Sequence, residues 1–224
     1  MKRLNLDTWP RREHFHFFRG FAEPFFGLTV RVDCTEAIRD CRASGDSFFL
    51  RYLHDCLAAV NAVEAFRYRV EEDAVVVHDT IHASATIGRE DGSFGFSYIP
   101  FTEDFTAFTV GARAEIARVR GRSGLEVGVA GADVIHFSAL PWLDFTSLSH
   151  ARSFDRPDSC PKISVGKVSE RAGRLEMPVS IHVHHALMDG REVGQFVDCY
   201  RERLLTSGPD APGTGTESST GPER

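Results

Sequence analysis

The stretch Ser180-Ile-His-Val-His-His-Ala-Leu-Met-Asp-Gly190 decides how the chain is interpreted. Apolar and polar residues alternate up to its middle, which is typical of a β-strand. On that alternation His185 ends the apolar face, whereas His182 and His184 point to the opposite face. Asp189 then turns the chain into a helical segment, residues 191–205. A single imidazole at the end of a buried strand is a candidate general base, because imidazole exchanges protons near neutral pH.

Length and composition exclude several classes of protein. The 224 residues, 42% of them hydrophobic, suit one domain with a real core. A net charge of −6 and an isoelectric point near 5.9 argue against nucleic acid as a partner. The sequence has no apolar run long enough to span a membrane, and its N-terminus lacks the apolar region of a signal peptide.

The cysteines and histidines do not indicate a metal site. The five cysteines are scattered, at positions 34, 41, 56, 160 and 199, and none has C-x-x-C spacing. They are typical of free thiols in a reducing compartment, which predicts a cytoplasmic protein. His182 and His184 face away from His185 and have no nearby pair of carboxylates, so we predict no metal.

Periodicity predicts an α+β fold in which helices and strands are interspersed. Pro10 is expected to open a short helix that ends at Phe18, and Asp33 to cap a helix that runs to about Ala43. Other expected helices cover Ser47 to Ala65, Thr102 to Arg120 and Val193 to Leu204. Expected strands are Phe25–Val32, Phe66–Val70, Ala74–His78, Ala83–Ile87, Phe94–Ile99, Val134–Ala139, Phe145–Ser149, Lys162–Glu170 and Arg174–His184. Residues 1–206 form the predicted domain. Residues 207–224 are rich in Ser, Gly, Pro, Thr and Glu, and are predicted to be a disordered tail.

Three separated motifs carry a family resemblance. They are Trp9-x-Arg11 near the start, Phe137-Ser138-Ala-Leu-Pro-Trp142 past the middle, and His185-x-x-x-Asp189-Gly190 near the end. Together they resemble the chloramphenicol acetyltransferase family, over about residues 5–205. The resemblance implies a two-layer α/β sandwich with a mostly antiparallel sheet. It also implies a homotrimer whose active sites lie between neighbouring subunits.

The resemblance assigns the catalytic roles. His185 would take the proton of an acceptor hydroxyl, which attacks the thioester of acetyl-CoA directly in a ternary complex. Ser138 would donate a hydrogen bond to the resulting oxyanion. Asp189 would pair with Arg11 and hold the turn that aims the imidazole. Taken singly, each residue also fits a structural role: His185 as a satisfied core histidine, Ser138 as a strand-end serine, and Arg11 as a surface charge.

The resemblance also assigns the binding residues. Trp142, Ser164 and Lys167 match positions beside the coenzyme, although core packing or solvation would explain them too. Four phenylalanines match the aromatic pocket of the acceptor: Phe17, Phe18, Phe26 and Phe94.

The acceptor pocket departs from the family in several places. Phe18 replaces a tyrosine, Phe96 replaces a smaller residue, and His150 and Arg152 fall where apolar residues occur. Three hypotheses therefore stay open: acetylation of chloramphenicol, acylation of a different small alcohol, and a silent binding homologue. The intact set of catalytic residues disfavours the last.

Overall fold

The computed structural model describes residues 1–125, 131–152 and 158–206, and the predicted tail at 207–224 lies outside the described residues. The helices of the described part are α1 (Arg12–Phe18), α2 (Thr35–Ser44), α3 (Phe48–Ala62), α4 (Phe105–Arg120) and α5 (Gly190–Leu205). The strands of the same part are β1 (Lys2–Arg3), β2 (Phe25–Asp33), β3 (Tyr68–Glu71), β4 (Ala74–Val77), β5 (His82–Gly88), β6 (Phe94–Phe96), β7 (Val134–Leu140), β8 (Lys162–Gly166), β9 (Ser169–Arg171) and β10 (Arg174–His184).

A mixed sheet forms the centre of the fold. It has seven strands in the order β2-β10-β8-β7-β5-β6, and β9 pairs with the start of β10. Four of its strand pairs are antiparallel, and the two pairs β5–β7 and β7–β8 are parallel. A separate three-stranded sheet has the order β1-β4-β3. The expectation of a two-layer fold with a mostly antiparallel sheet is confirmed.

One face of the large sheet carries the core. Its apolar side chains, such as Ile163, Val179 and Ile181, join one buried cluster with residues from the helices, among them Leu53 and Phe196. Burial of these side chains supplies the main favourable free energy of folding. None of the described helices is long and apolar enough to cross a bilayer.

Polar caps fix where the long helices begin. Ser47 accepts a hydrogen bond from the backbone N–H of Leu50 at the start of α3, and Asp104 accepts one from Ala107 at the start of α4. Asp189 begins α5 with a capping box, in which the Glu192 carboxylate accepts from the Asp189 N–H at 2.9 Å. These caps satisfy N–H groups that have no partner within the helix.

The opposite face of the sheet is lined by polar residues in register. Thr29 pairs with Ser180, Ser180 with Ser164, and Ser164 with Ser138. The Thr86 hydroxyl donates to that of Ser138 at 3.3 Å, so five hydroxyls cross the sheet in one line, which we call the hydroxyl row. Since side chains two residues apart share a face, the row His136, Lys162 and His182 lies beside it. We call this second set the imidazole–lysine row.

Most predicted elements are confirmed to within a few residues, but three expectations were wrong. Residues 145–149 form no strand. The predicted strand Lys162–Glu170 is divided into β8 and β9 by a break at Lys167 and Val168. Asp33 does not cap α2, because Cys34 is the cap residue and Asp33 instead accepts hydrogen bonds from Thr35.

Gly27 allows the imidazole–lysine row to pack onto β2. Gly27 pairs with His182, and a Cβ atom at Gly27 would overlap the His182 ring. That ring is held by Ser180 Oγ at 3.3 Å from its Nδ1 and by the edge-on ring of His150 at 4.9 Å. The imidazole therefore has little freedom to move aside.

We predict that Gly27→Ala lowers the free energy of unfolding by about 1–3 kcal/mol through overpacking. Gly88→Ala is the control, because Gly88 is also a strand residue and has no atom within 4 Å of its Cβ position. Urea unfolding of both variants measures the difference. Equal stabilities would show that the His182 ring yields without cost.

Candidate active site

His185 lies just beyond the end of β10, where the chain leaves the sheet in a tight turn. Its backbone N–H donates to the carbonyl of Pro24 at 2.8 Å, so the turn remains attached to the segment before β2. Its Nδ1 lies 3.2 Å from the carbonyl oxygen of Met188. A carbonyl only accepts hydrogen bonds, so Nδ1 carries the proton and Nε2 keeps its lone pair. His185 thus leaves the strand rather than ending its apolar face, which corrects the sequence-based expectation.

Arg11 holds both ends of this turn. Its Nη1 lies 2.5 Å from Oδ2 of Asp189, and its Nη2 donates to the backbone carbonyl of His185 at 3.1 Å. The predicted Arg11–Asp189 pair is present in the structure. The Arg11 side chain is 16% exposed and that of Asp189 40%, so the pair is only partly shielded from water.

Asp189 serves the helix and the pair at once. Its Oδ1 accepts from the backbone N–H of Arg191 at 2.9 Å, at the N-terminus of α5. This hydrogen bond is the largest cause that lowers the pKa of Asp189, and together with Arg11 it brings the pKa to about 2. The carboxylate is therefore charged at neutral pH, and it acts as an anchor rather than as an acid.

Aromatic rings enclose the imidazole of His185. The Phe18 ring stacks on it at 4.0 Å between centroids and 28° between planes, and the Phe26 ring lies at 4.6 Å. Phe17 packs edge-on against Phe18, at 5.0 Å between centroids, and is 64% exposed. Three of the four predicted acceptor residues are thus grouped around His185. We call His185, these three phenylalanines, Arg11 and Asp189 the base cluster.

His184 supports the same turn from the other side of the strand. It is 5% exposed, and its Nδ1 accepts from the backbone N–H of Ala186 at 3.3 Å. Burial lowers the pKa of His184 to about 4, so the ring is neutral at pH 7. A neutral ring with Nδ1 as acceptor suits a structural role in ordering the turn.

Ser138 lies on the hydroxyl row, away from the base cluster. Its Oγ is bound by the hydroxyl of Thr86. Ser164, on the neighbouring strand, is fully buried, and its Oγ has no hydrogen-bond partner among the described residues. A buried hydroxyl in that state is suited to bind a ligand or a water molecule.

The remaining predicted binding residues lie on or just after strands β6, β7 and β8, on the same side of β10 as the Ser138 strand. Trp142 and Lys167 follow the carboxyl ends of β7 and β8, and Trp142 is 79% exposed. Phe94 is 45% exposed and lies on β6, at the sheet edge opposite to β2. We call Ser138, Ser164, Trp142, Lys167 and Phe94 the oxyanion cluster.

The two clusters are well separated within one chain. Four residue steps along β10 separate Ser180 on the hydroxyl row from His184 at the end of the strand, which corresponds to roughly 13 Å. Two strand spacings, roughly 10 Å, separate β10 from β7. His185 and Ser138 of the same chain therefore lie roughly 15 Å apart or more and do not share one reacting group.

One group of possible metal ligands was not expected from the sequence. Ligand atoms of His136, Asp158 and Cys160 lie within 4.8 Å of one another. However, the Lys162 ammonium binds Asp158, and burial raises the pKa of the Cys160 thiol, which favours its neutral form. One ligand is thus already paired with a cation and another is held as a neutral thiol, so the cluster is a poor match to the requirements of a metal ion.

Sequence reasoning missed the contacts that orient the imidazole. Neither the Met188 carbonyl nor the stacking of Phe18 on His185 leaves a signal in the sequence. The two rows could have been found, because polar residues alternate at His136 and Ser138, at Lys162 and Ser164, and at Ser180 and His182.

Comparison with known proteins shows the family to which the chain belongs. The family model described as chloramphenicol acetyltransferase matches residues 1–201. Chloramphenicol acetyltransferase 3 of Escherichia coli is 28% identical over 202 residues, which cover 89% of this chain and 95% of that protein. Chloramphenicol acetyltransferase of Bacillus pumilus is 28% identical over 197 residues, which cover 87% and 90%.

Solved structures show the same similarity. A chloramphenicol acetyltransferase structure superposes with a TM-score of 0.84 at 33% identity and covers 91% of this chain and all of its own. The dihydrolipoamide acetyltransferase of Azotobacter vinelandii, at 14% identity and a TM-score of 0.65, covers 86% of this chain and 85% of its own and shows the shared fold alone. The chain belongs to the chloramphenicol acetyltransferase family and is an acetyltransferase.

Proposed function

We propose that this protein transfers the acetyl group of acetyl-CoA to a hydroxyl of chloramphenicol, with His185 as general base. The observation that carries the proposal is the hydrogen bond between Nδ1 of His185 and the Met188 carbonyl. It presents a basic Nε2 in a chain whose relatives are named for this reaction. An alcohol is a weak acid, so removal of its proton by a base in contact lowers the barrier.

The reaction follows from these groups in one direct transfer. Nε2 of His185 takes the hydroxyl proton as the oxygen attacks the thioester carbonyl, and Ser138 donates to the oxyanion that forms. The intermediate collapses by breaking the C–S bond. The coenzyme thiolate then takes the proton back from the imidazolium. One donor such as Ser138 is worth about 3 kcal/mol of barrier.

The site is shared between two copies of the chain in this proposal. The separation between the base cluster and the oxyanion cluster supports it, since His185 of one copy has to meet Ser138 of a neighbour. A homotrimer with three equivalent interfaces, as in the family resemblance, satisfies this requirement. The acceptor then lies between Phe17, Phe18 and Phe26 of one copy and the Phe94 side of the other.

The coenzyme approaches from the carboxyl ends of β7 and β8. The exposed indole of Trp142 offers an apolar surface for the pantetheine arm, and the exposed ammonium of Lys167 is available to phosphates. The unpartnered hydroxyl of Ser164 lies beside Ser138, where it would hold a water near the oxyanion. Since all five cysteines are free thiols, a reducing cytoplasm is the compartment we propose.

We predict that His185→Ala lowers kcat by about 10³-fold and Ser138→Ala by about 10²-fold, with smaller changes in KM. Both groups act in the transition state, so the loss falls on kcat. Thiol release from acetyl-CoA in the presence of chloramphenicol measures it. The control is His14→Ala, an exposed histidine of α1. Unchanged turnover by His185→Ala would exclude the imidazole as the base.

Mixing two inactive variants tests the shared site. In an oligomer reassembled from equal amounts of His185→Ala and Ser138→Ala, about a quarter of the interfaces pair an intact His185 with an intact Ser138. We expect about a quarter of the wild-type activity after mixing under mildly dissociating conditions, against about 1% or less from either variant alone. Failure to regain activity, although mixed oligomers are seen by mass spectrometry, would place both groups in one chain.

The Arg11–Asp189 pair makes a prediction about pH. The lowered pKa of Asp189 means that the pair stabilises the fold above about pH 4 and that this contribution is lost as the pH falls towards 2. In a double-mutant cycle of Arg11→Met and Asp189→Asn we expect a coupling of about 1–2 kcal/mol at pH 7. The coupling shrinks towards zero near pH 2.

The exposed pair Arg39–Glu36 is the control for that cycle, with an expected coupling below about 0.5 kcal/mol. Chemical unfolding at pH 7, 4 and 2 gives both values. A coupling at Arg11 and Asp189 no larger than at the control pair would show that the clamp adds nothing to the turn.

A further inference from the structure

The side chains beside Ser138 on the neighbouring strands, Thr86 and Ser164, and the one before it on the same face of β7, His136, are polar. The imidazole–lysine row lies one side-chain repeat, about 7 Å, from the hydroxyl row. It lies towards the end of β10 that leads to His185, whereas Trp142 and Lys167 lie beyond the other end. If the coenzyme enters past Trp142, the acceptor has to extend over the imidazole–lysine row.

A second polar layer covers this row. The His150 ring packs edge-on against His182 at 4.9 Å and 86°. The Arg152 guanidinium and the Lys162 ammonium both lie over the ring of Phe25, at 4.4 and 4.7 Å from its centroid. We call His150, Arg152 and the imidazole–lysine row together the polar wall. An acceptor that reaches this wall meets nitrogen-bearing side chains rather than aliphatic ones.

The charges of this wall are balanced. Lys162 pairs with Asp158, and Arg152 pairs with Glu23. Burial, with the nearby cations, lowers the pKa of His136 and His182, and burial lowers that of His150 to about 4. The imidazoles are therefore neutral at pH 7, and each offers one donor and one acceptor nitrogen. Such a surface suits a neutral hydrogen-bonding ligand better than an ion.

Two buried atoms on this side of the sheet, one on the hydroxyl row and one over the imidazole–lysine row, lack a partner within the described residues. They are Oγ of Ser164 and Nε2 of His150. An apolar ring placed against them would leave both without hydrogen bonds, which is unfavourable. A ligand hydroxyl can donate a hydrogen bond to one group and accept one from another, so a single hydroxyl can supply partners to two such atoms.

We infer that the acceptor site prefers a neutral alcohol that presents hydroxyl groups to the imidazole–lysine row over one that presents an aromatic ring. The inference rests on the proposed function, because it takes Ser138 as the position of the reacting carbonyl. Chloramphenicol is then an acceptor whose nitrophenyl ring fits this wall poorly, and a polyhydroxylated small alcohol is the better substrate.

Calorimetric binding to the assembled, full-length protein in the presence of coenzyme A tests the preference without relying on turnover. The two probes are chloramphenicol and an analogue in which a trihydroxypropyl group replaces the nitrophenyl ring. We expect a Kd about tenfold lower for the analogue. Equal or tighter binding of chloramphenicol, or no detectable binding of the analogue, would overturn the inference.

Variants of His150 test whether this side chain is responsible for the preference between the two probes. His150→Leu should weaken binding of the analogue about tenfold and strengthen binding of chloramphenicol, whereas His150→Gln, which keeps hydrogen-bonding groups, should retain the preference. The matched control is His78→Leu, since His78 also has a buried, unpartnered Nε2 but lies at the end of β4. Equal changes for both probes in His150→Leu would contradict a role of the wall in selection.

The thiol-release assay separates this inference from the proposed function. A protein that binds the analogue better and acetylates chloramphenicol, the weaker ligand, in a His185-dependent way supports both. Binding preference without any acetylation would overturn the proposed function and leave the polar wall as a binding property. Acetylation of chloramphenicol with no preference for the analogue would overturn only the inference.

Discussion

The fork of Arg11 is the interaction on which the geometry of the site depends. One guanidinium binds the carboxylate at the start of α5 and the backbone carbonyl of His185. A lysine has the charge but lacks the planar pair of donors that reaches both acceptors at once. Through this fork the chain's first segment fixes the turn that carries the imidazole, and the Met188 carbonyl then fixes the tautomer.

The central sheet sets the distances between the functional groups. Strand spacing and rise are nearly constant, so residues on opposite edges and different rows cannot approach one another within a chain. The base cluster lies at the β2 edge, and the oxyanion cluster lies on the strands beyond β10. In the proposed function a second copy therefore brings the proton acceptor and the oxyanion donor to the same thioester. Assembly is then part of the proposed mechanism rather than an addition to it.

The sequence predicts those parts of the structure that depend on local patterns. The alternation in residues 177–184 predicts β10, and the spacing of His185 and Asp189 predicts the turn into α5. The pattern in residues 145–149 misleads, because this segment lies over the sheet: the Phe145 ring packs near Gly166 and the Leu148 backbone bonds to His182. An extended segment that packs on the face of a sheet alternates apolar and polar residues in the same way as a strand that pairs at its edge. The sequence also does not specify the register between strands, so the alignment of Ser138 with Ser164 and Ser180 is known only from the structure.

The decisive measurement is a crystal structure of the assembled protein with coenzyme A and the acceptor. We expect Nε2 of His185 to lie about 3 Å from the acceptor hydroxyl oxygen, with Ser138 of a neighbouring copy across from it. A complex in which the acceptor binds elsewhere, or in which His185 Nε2 is enclosed by protein on all sides, would contradict it.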